Sequence, residues 1–278
     1  MKKKSKKIVS GIVAAAVVAG YLVIGGGPDL GGDGSQDPVS VEYTLPVDAL
    51  ELPAFTSAAT IVTHDAYTSS YNRQTLIPDW VAYELTAEET EGDLSRDGIE
   101  FKMDPDLRKG KQAMREDYSN SGWTKGHMMP AADANTQSST LEETFYFTNI
   151  CPQSEVLNAG DWQYLEKRVR SLARKYGKVW VVTGPIVGSN MYGTIGDRDV
   201  VVPDAFFKAL LIEKGGKYSS IAFIMGNDGD RYYLKDCAMS VNELEEETGI
   251  DFFPALPDAV EETVEGTVTL SDWGIKTK

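Results

Sequence analysis

The stretch "WTKGHMMPAADAN", residues 123–135, carries one of only two histidines in 278 residues, set straight after a glycine and ahead of a proline. Histidine has the unperturbed pKa nearest neutrality, so His127 is suited to move a proton, to bind a metal, or to fill core space. Its neighbours favour the first. Asn149 stands at the end of "FYFTNI", and Asn158 lies just ahead of "GDWQYLEKRVRSLARKYG". A strand carrying His127, a second strand, and a helix whose start carries an amide would bring His127, Asn149 and Asn158 together as a base beside neutral oxygen ligands. Mg2+ accepts such a site, because it prefers oxygen, keeps several waters and often takes only one or two protein ligands. One Mg2+ is therefore expected, with Mn2+ as a substitute. Such a pair suits hydrolysis of a phosphodiester, the histidine removing a proton from water while the metal offsets charge on the phosphate. Further along the helix, Glu166 is spaced to meet metal-bound waters and Arg170 to clamp a phosphate oxygen. Each residue also has a plain structural reading. Asn149 would end a strand, Asn158 would cap a helix, and Glu166 with Arg170 would form an exposed pair four residues apart.

The elements that must position these residues are legible in outline. "TIVTHDAY", "WVAYELT", "IEFKM", "TFYFTNI", "VWVVTGPIV", "FFKALLIE" and "SSIAFIMG" have strand length and are rich in β-branched and aromatic residues. Most are separated by loops, which predicts an α+β fold: a mostly antiparallel sheet core with flanking helices. In the helix, Trp162, Leu165, Val169, Leu172 and Tyr176 recur at spacings of three and four and must face a sheet, and Gly177 stops it. Glu166, Arg170 and Arg174 line a different face. A second helix is predicted in "SVNELEEETG", capped by Ser240 and stopped by Gly249. His64, the other histidine, falls in a strand and is expected in the core or at its rim.

Three segments are expected. Residues 1–24 open with "MKKKSKK" and continue with a run of 17 uncharged residues, which reads as an export signal or a membrane anchor. Residues 25–53, rich in Gly, Pro and Asp, read as a flexible linker, and 54–278 as the working domain. This organisation predicts a bacterial protein outside the cytoplasm, anchored to the membrane or secreted. The formal charge of −15 argues at first sight against a nucleic-acid partner. Yet 12 of the 27 basic residues lie between Lys102 and Lys178, leaving that segment near neutral inside an acidic chain. Cys151 and Cys237, a lone pair without framework spacing, read equally as a disulfide or as two buried thiols.

"GHMMPAADAN", "TFYFTN-x-x-PQ", "LN-x-G-x-W-x-x-LE" and "TGPI", in this order, resemble the DNA/RNA non-specific endonucleases, the ββα-metal family of the Serratia nuclease and mitochondrial endonuclease G type. The resemblance implies a ββα-metal motif that cuts DNA and RNA. It implies His127 as general base, Asn158 as direct Mg2+ ligand, Asn149 as an orienting neighbour, Glu166 as partner of metal-bound water, and Arg170 as a phosphate contact. Arg96 is the candidate for an arginine that precedes the histidine motif in the family. Lys125 and Arg174 are expected to touch substrate. One departure is plain: where members have Asp-Arg-Gly-His, this chain has Thr124, Lys125, Gly126 and His127. Lysine keeps the charge but lacks arginine's bidentate fork. The alternative reading is thus an exported nucleic-acid-binding module of the same fold with weak or lost turnover.

Overall fold

The computed structural model describes residues 49–276, apart from positions 57, 108, 109 and 190. The expected leader and most of the expected linker lie outside the described residues. Leu50, at the end of that linker, is buried in a core cluster with Trp80 and Phe252.

The chain forms β1 (Ile61–Thr63), β2 (Thr68–Asn72), β3 (Ile77–Thr86), β4 (Thr124–His127), α1 (Ser138–Glu143), β5 (Ile150–Gln153), α2 (Trp162–Tyr176), β6 (Lys178–Ile186), β7 (Thr194–Ile195), β8 (Val200–Val201), β9 (Ala205–Glu213), β10 (Tyr218–Gly226), α3 (Leu234–Cys237), β11 (Ala238–Met239), α4 (Val241–Thr248) and α5 (Asp258–Glu265). Seven strands build one antiparallel sheet in the order β1-β2-β3-β6-β9-β10-β11. The α+β expectation is borne out. Among the described residues, no helix is long and apolar enough to cross a membrane.

Period-two alternation gives the sheet two buried faces. Along β3, Val81, Tyr83 and Leu85 join the cluster that receives Trp162, Leu165, Val169 and Leu172 of α2. Trp80 and Ala82 point the other way, into a cluster with Val241 and Leu244 of α4. The apolar stripe of α2 is therefore covered as its spacing requires, and Gly177 ends the helix at φ 90°. In α4 the cap is reciprocal: Ser240 Oγ accepts from Glu243 N, and Glu243 Oε2 accepts from Ser240 N at 2.8 Å.

Two expected strands are not strands. "IEFKM" contributes one isolated bridge, Lys102 to Tyr146, and "TFYFTNI" is mostly a turn until β5 begins at Ile150. Their aromatic residues serve packing instead. Phe101 stacks obliquely on Phe145 and Phe147, with centroids 5.0 and 6.3 Å apart, and builds a small apolar wall. Cys151 and Cys237 are both buried and unpaired.

Candidate active site

The short β4–β5 ribbon leads into α2, so two strands and a helix present one surface. Thr124 pairs with Gln153 and His127 with Ile150. Gly126 precedes the histidine because β5 comes too close for a side chain: a Cβ there would collide with the Gln153 side chain. Between β5 and α2 the chain makes a wide π-helical turn, Leu157–Asp161, kinked at Gly160. Turns of this kind are frequent at functional sites. Asp161 fixes its end, accepting from Arg231 Nε and Nη2 at 2.9 and 2.8 Å and from Tyr232 N at 2.7 Å.

His127 is buried, its ring 5.0 Å from Phe145 edge-on and 5.4 Å from Phe101. Burial, with the Arg96 charge nearby, pushes its pKa down to about 3, so the imidazole is neutral at working pH. Nε2 is buried without a hydrogen-bond partner. Arg96 lies against that wall, its guanidinium carbon 5.6 Å from the Phe145 centroid, and Lys125 Nζ is 5.4 Å from the rings of Phe101 and Tyr118. Both cations thus border the histidine through shared aromatic neighbours.

Asn149 is fully buried and fully engaged. Its Oδ1 accepts from Met129 N at 2.8 Å, and its Nδ2 donates to the carbonyls of Met129 and Thr144, both at 2.9 Å. It pins the loop that leaves His127. Asn158 differs: Nδ2 donates to Thr124 Oγ1 at 2.9 Å, while Oδ1 has no partner among the described residues. Thr124 Oγ1 itself donates to Gln153 O at 2.8 Å. The hydroxyl that replaces the family's aspartate therefore still holds the amide, oxygen outward. Such a free neutral oxygen, without a second imidazole or thiolate close by, fits a hard, hydrated cation.

Glu166 and Arg170 do not form the exposed pair that spacing allows. Arg170 turns inward, and its Nη1 donates to the buried Asp133 Oδ1. A phosphate contact would use its other nitrogens. Burial pushes Glu166 up to about 7; the Lys208 and Arg170 charges oppose that rise, and Asp133 adds to it. Lys208 is wholly buried, its Nζ lacking a hydrogen-bond partner and 4.9 Å from the Trp162 ring centroid. Burial lowers its pKa, the neighbouring acids working the other way. Arg174, one turn beyond Arg170, donates to Glu91 Oε1 at 3.2 Å and lies half exposed. Asp133, Tyr83 and Lys208 were not singled out from sequence. Asp133 sits inside the quoted histidine motif, and Lys208 is the lone charge in "FFKALLIE", so both left a signal.

His64 packs on Tyr67 and Tyr146, with centroids 5.0 and 5.2 Å away. Its Nε2 is 2.8 Å from Asp104 Oδ2, and its Nδ1 is 3.7 Å from Asp106 Oδ2. Asp104 also accepts from Thr148 Oγ1 at 2.6 Å and from Asp106 N at 2.9 Å. The two ring nitrogens face different carboxylates, so the three groups clamp an imidazolium rather than surround a common ion. Burial disfavours that charge, but the Asp104 hydrogen bond and the Asp104, Glu143 and Asp106 charges outweigh it and raise the pKa. A raised histidine pKa contributes stability below about 6.5 that is lost as pH rises through the folded-state value. Thermal melts of wild type and His64→Gln are thus expected to differ most at mildly acidic pH and to converge in alkali.

A profile of the DNA/RNA non-specific endonuclease family matches residues 49–259. Nuclease EXOG, mitochondrial, of Danio rerio is 36% identical over 67% of this chain and 59% of its own length. Endonuclease G, mitochondrial, of Bos taurus is 30% identical over 87% of this chain and 81% of its own. The chain spans less than two thirds of several of these relatives. Among solved structures, "Crystal structure of the EndoG/EndoGI complex: Mechanism of EndoG inhibition" superposes with a TM-score of 0.69, at 28% identity, over 74% of this chain and 90% of that one. These relatives overturn the expectation of a bacterial protein outside the cytoplasm, membrane-anchored or secreted, because they are mitochondrial nucleases. A basic head followed by an apolar run is shared by several kinds of leading segment and does not by itself name a compartment.

Proposed function

The chain belongs to the DNA/RNA non-specific endonuclease family, and on that premise we propose that it hydrolyses phosphodiester bonds of DNA and RNA, with His127 as general base and Asn158 as the protein ligand of one Mg2+. The observation that carries this reading is a neutral, buried imidazole at one end of β4 and, bonded to Thr124 at the other end of the same strand, an amide whose oxygen is unpartnered. His127 Nδ1 accepts the proton of the attacking water; a pKa well below working pH keeps that lone pair free. Asn158 would hold Mg2+ through Oδ1, and the bound ion would offset charge on the phosphate and on the departing oxygen. Mn2+, which takes the same oxygen ligands, is expected to substitute. Asn149 fixes the histidine loop, Glu166 offers a carboxylate to water beside Asn158, and Arg96, Lys125 and Arg170 supply positive charge for the phosphates. Arg174 joins them only when a phosphate displaces Glu91.

The test is conversion of supercoiled plasmid and of RNA with Mg2+ and with chelator. The expected result is cleavage of both polymers with Mg2+ and of neither with chelator. A protein that retards DNA in a gel without cutting it would support the binding-module alternative instead. Against that alternative stands Thr124, whose hydroxyl keeps the Asn158 amide oriented. Thr124→Val retains the β-branched shape and removes the hydroxyl's bonds to Asn158 Nδ2 and to Gln153 O. It is expected to raise the Mg2+ concentration for half-maximal activity about tenfold, the effect expected of losing a partner that orients a metal ligand.

A further inference from the structure

Next to the ribbon, at its Thr124 end, is a hollow of about 300 Å³ lined by Gly122, Trp123, Ser154, Tyr192, Asp228 and their neighbours Glu155, Asn227 and Gly229. Trp123 and Tyr192 meet edge to face, 5.1 Å between centroids at 65°, and each is half-buried with one side packed on the main core. The hollow adjoins the proposed metal ligand directly. Trp123 precedes Thr124, whose hydroxyl holds the Asn158 amide, and Ser154 O accepts from Asn158 N at 2.9 Å. Its far wall is fixed by Asn227, which accepts from Ser154 N at 2.8 Å and donates to the carbonyls of Pro152 and Pro203. Trp123 is held in turn by Ser121, whose Oγ accepts from Trp123 N at 3.1 Å.

We infer that this hollow is a nucleobase subsite, in which an unpaired base adjoining the cleaved phosphate packs against Trp123 and Tyr192. The inference rests on the proposed nuclease reading. Two flat aromatic surfaces offer what every base presents, a π-face, and stacking of this kind is tolerant of sequence. The wall's charge selects the end of the nucleotide that enters. Glu155 and Asp228 repel a phosphate, and Glu155 offers an acceptor to base N–H groups while the Asp228 carboxylate already accepts from Tyr232 Oη and Asp230 N, so the backbone is kept at the cationic side of the ribbon, near Lys125 and Arg96, while the uncharged base turns into the hollow. A paired base inside a duplex is not free to enter. The subsite therefore favours single strands and frayed ends over intact duplex.

The experiment compares wild type, Trp123→Leu, Trp123→Phe and Tyr192→Leu by two readouts. In chelator, binding of a short single-stranded DNA oligonucleotide is followed by quenching of tryptophan fluorescence and by anisotropy of a labelled strand. With Mg2+, kcat/KM is measured on the same oligonucleotide and on supercoiled plasmid. Each leucine variant is expected to lose about tenfold in oligonucleotide binding and cleavage, the size of one lost base stack, with plasmid nicking changed less than about threefold. Trp123→Phe should keep most of the binding. Equal losses on both substrates, or unchanged oligonucleotide binding in both leucine variants, would overturn the subsite. If the Trp123→Leu chain does not fold, Tyr192→Leu, the other ring of the pair, decides the matter. A wild type that cuts no polymer would count against the nuclease reading, and the chelator arm would still judge the hollow.

Discussion

Replacing His127 by alanine is expected to lower the cleavage rate by about 10²–10⁴-fold while leaving the thermal melt within a few degrees of wild type. Among the described residues the imidazole makes no side-chain hydrogen bond, Nε2 is buried without a partner, and the ring packs on Phe101 and Phe145. What the substitution removes is the proton acceptor. Binding of nucleic acid in chelator should persist, because the cations near the ribbon are untouched. The pH profile follows from the same burial. With the His127 pKa near 3, the acid limb of wild-type activity does not report this residue above about pH 5.

The second large effect is expected at Lys208. Glu166 is useful to water as a carboxylate, and burial pushes its pKa up to about 7; the Lys208 cation is the strongest influence holding the negative form. The sign is then determined. Lys208→Met removes a charge that lowers the Glu166 pKa, so the acid limb of the activity profile should move upward by about one pH unit. At pH 7 that means roughly a fivefold loss, recovered as pH rises towards 9. Lys208→Arg, which keeps the charge over the Trp162 ring, should restore most of the profile. A uniform loss at every pH would mean that Lys208 serves only the packing between α2 and the sheet.

The parts of this site that sequence made legible are those set by local spacing. Trp162, Leu165, Val169 and Leu172 repeat with the helical period, so both α2 and its buried face follow from the sequence. Gly126 and His127 sit where a strand meets a turn, and Asn149 and Asn158 follow at strand and helix boundaries. What was not legible depends on contacts between distant segments. Arg170 has the spacing of an exposed residue, yet Asp133, 37 positions earlier, draws it inward. Lys208 reaches the same neighbourhood from the middle of the sheet. "IEFKM" and "TFYFTNI" have strand composition, but their rings close the wall behind His127, and burial of aromatic surface outweighed β-propensity there. The Trp123–Tyr192 pair joins positions 69 residues apart and carries no local pattern.

The central claim is that His127 accepts the proton, and chemical rescue tests it most directly. His127→Gly opens a space bounded by Phe101 and Phe145 into which free imidazole fits. With Mg2+ and plasmid, activity lost in His127→Gly is expected to return in proportion to added imidazole, and Asn158→Ala is expected to show no such return. Failure of imidazole to restore cleavage in a folded His127→Gly protein that still binds DNA, or equal stimulation of Asn158→Ala, would contradict the assignment of His127 as the base.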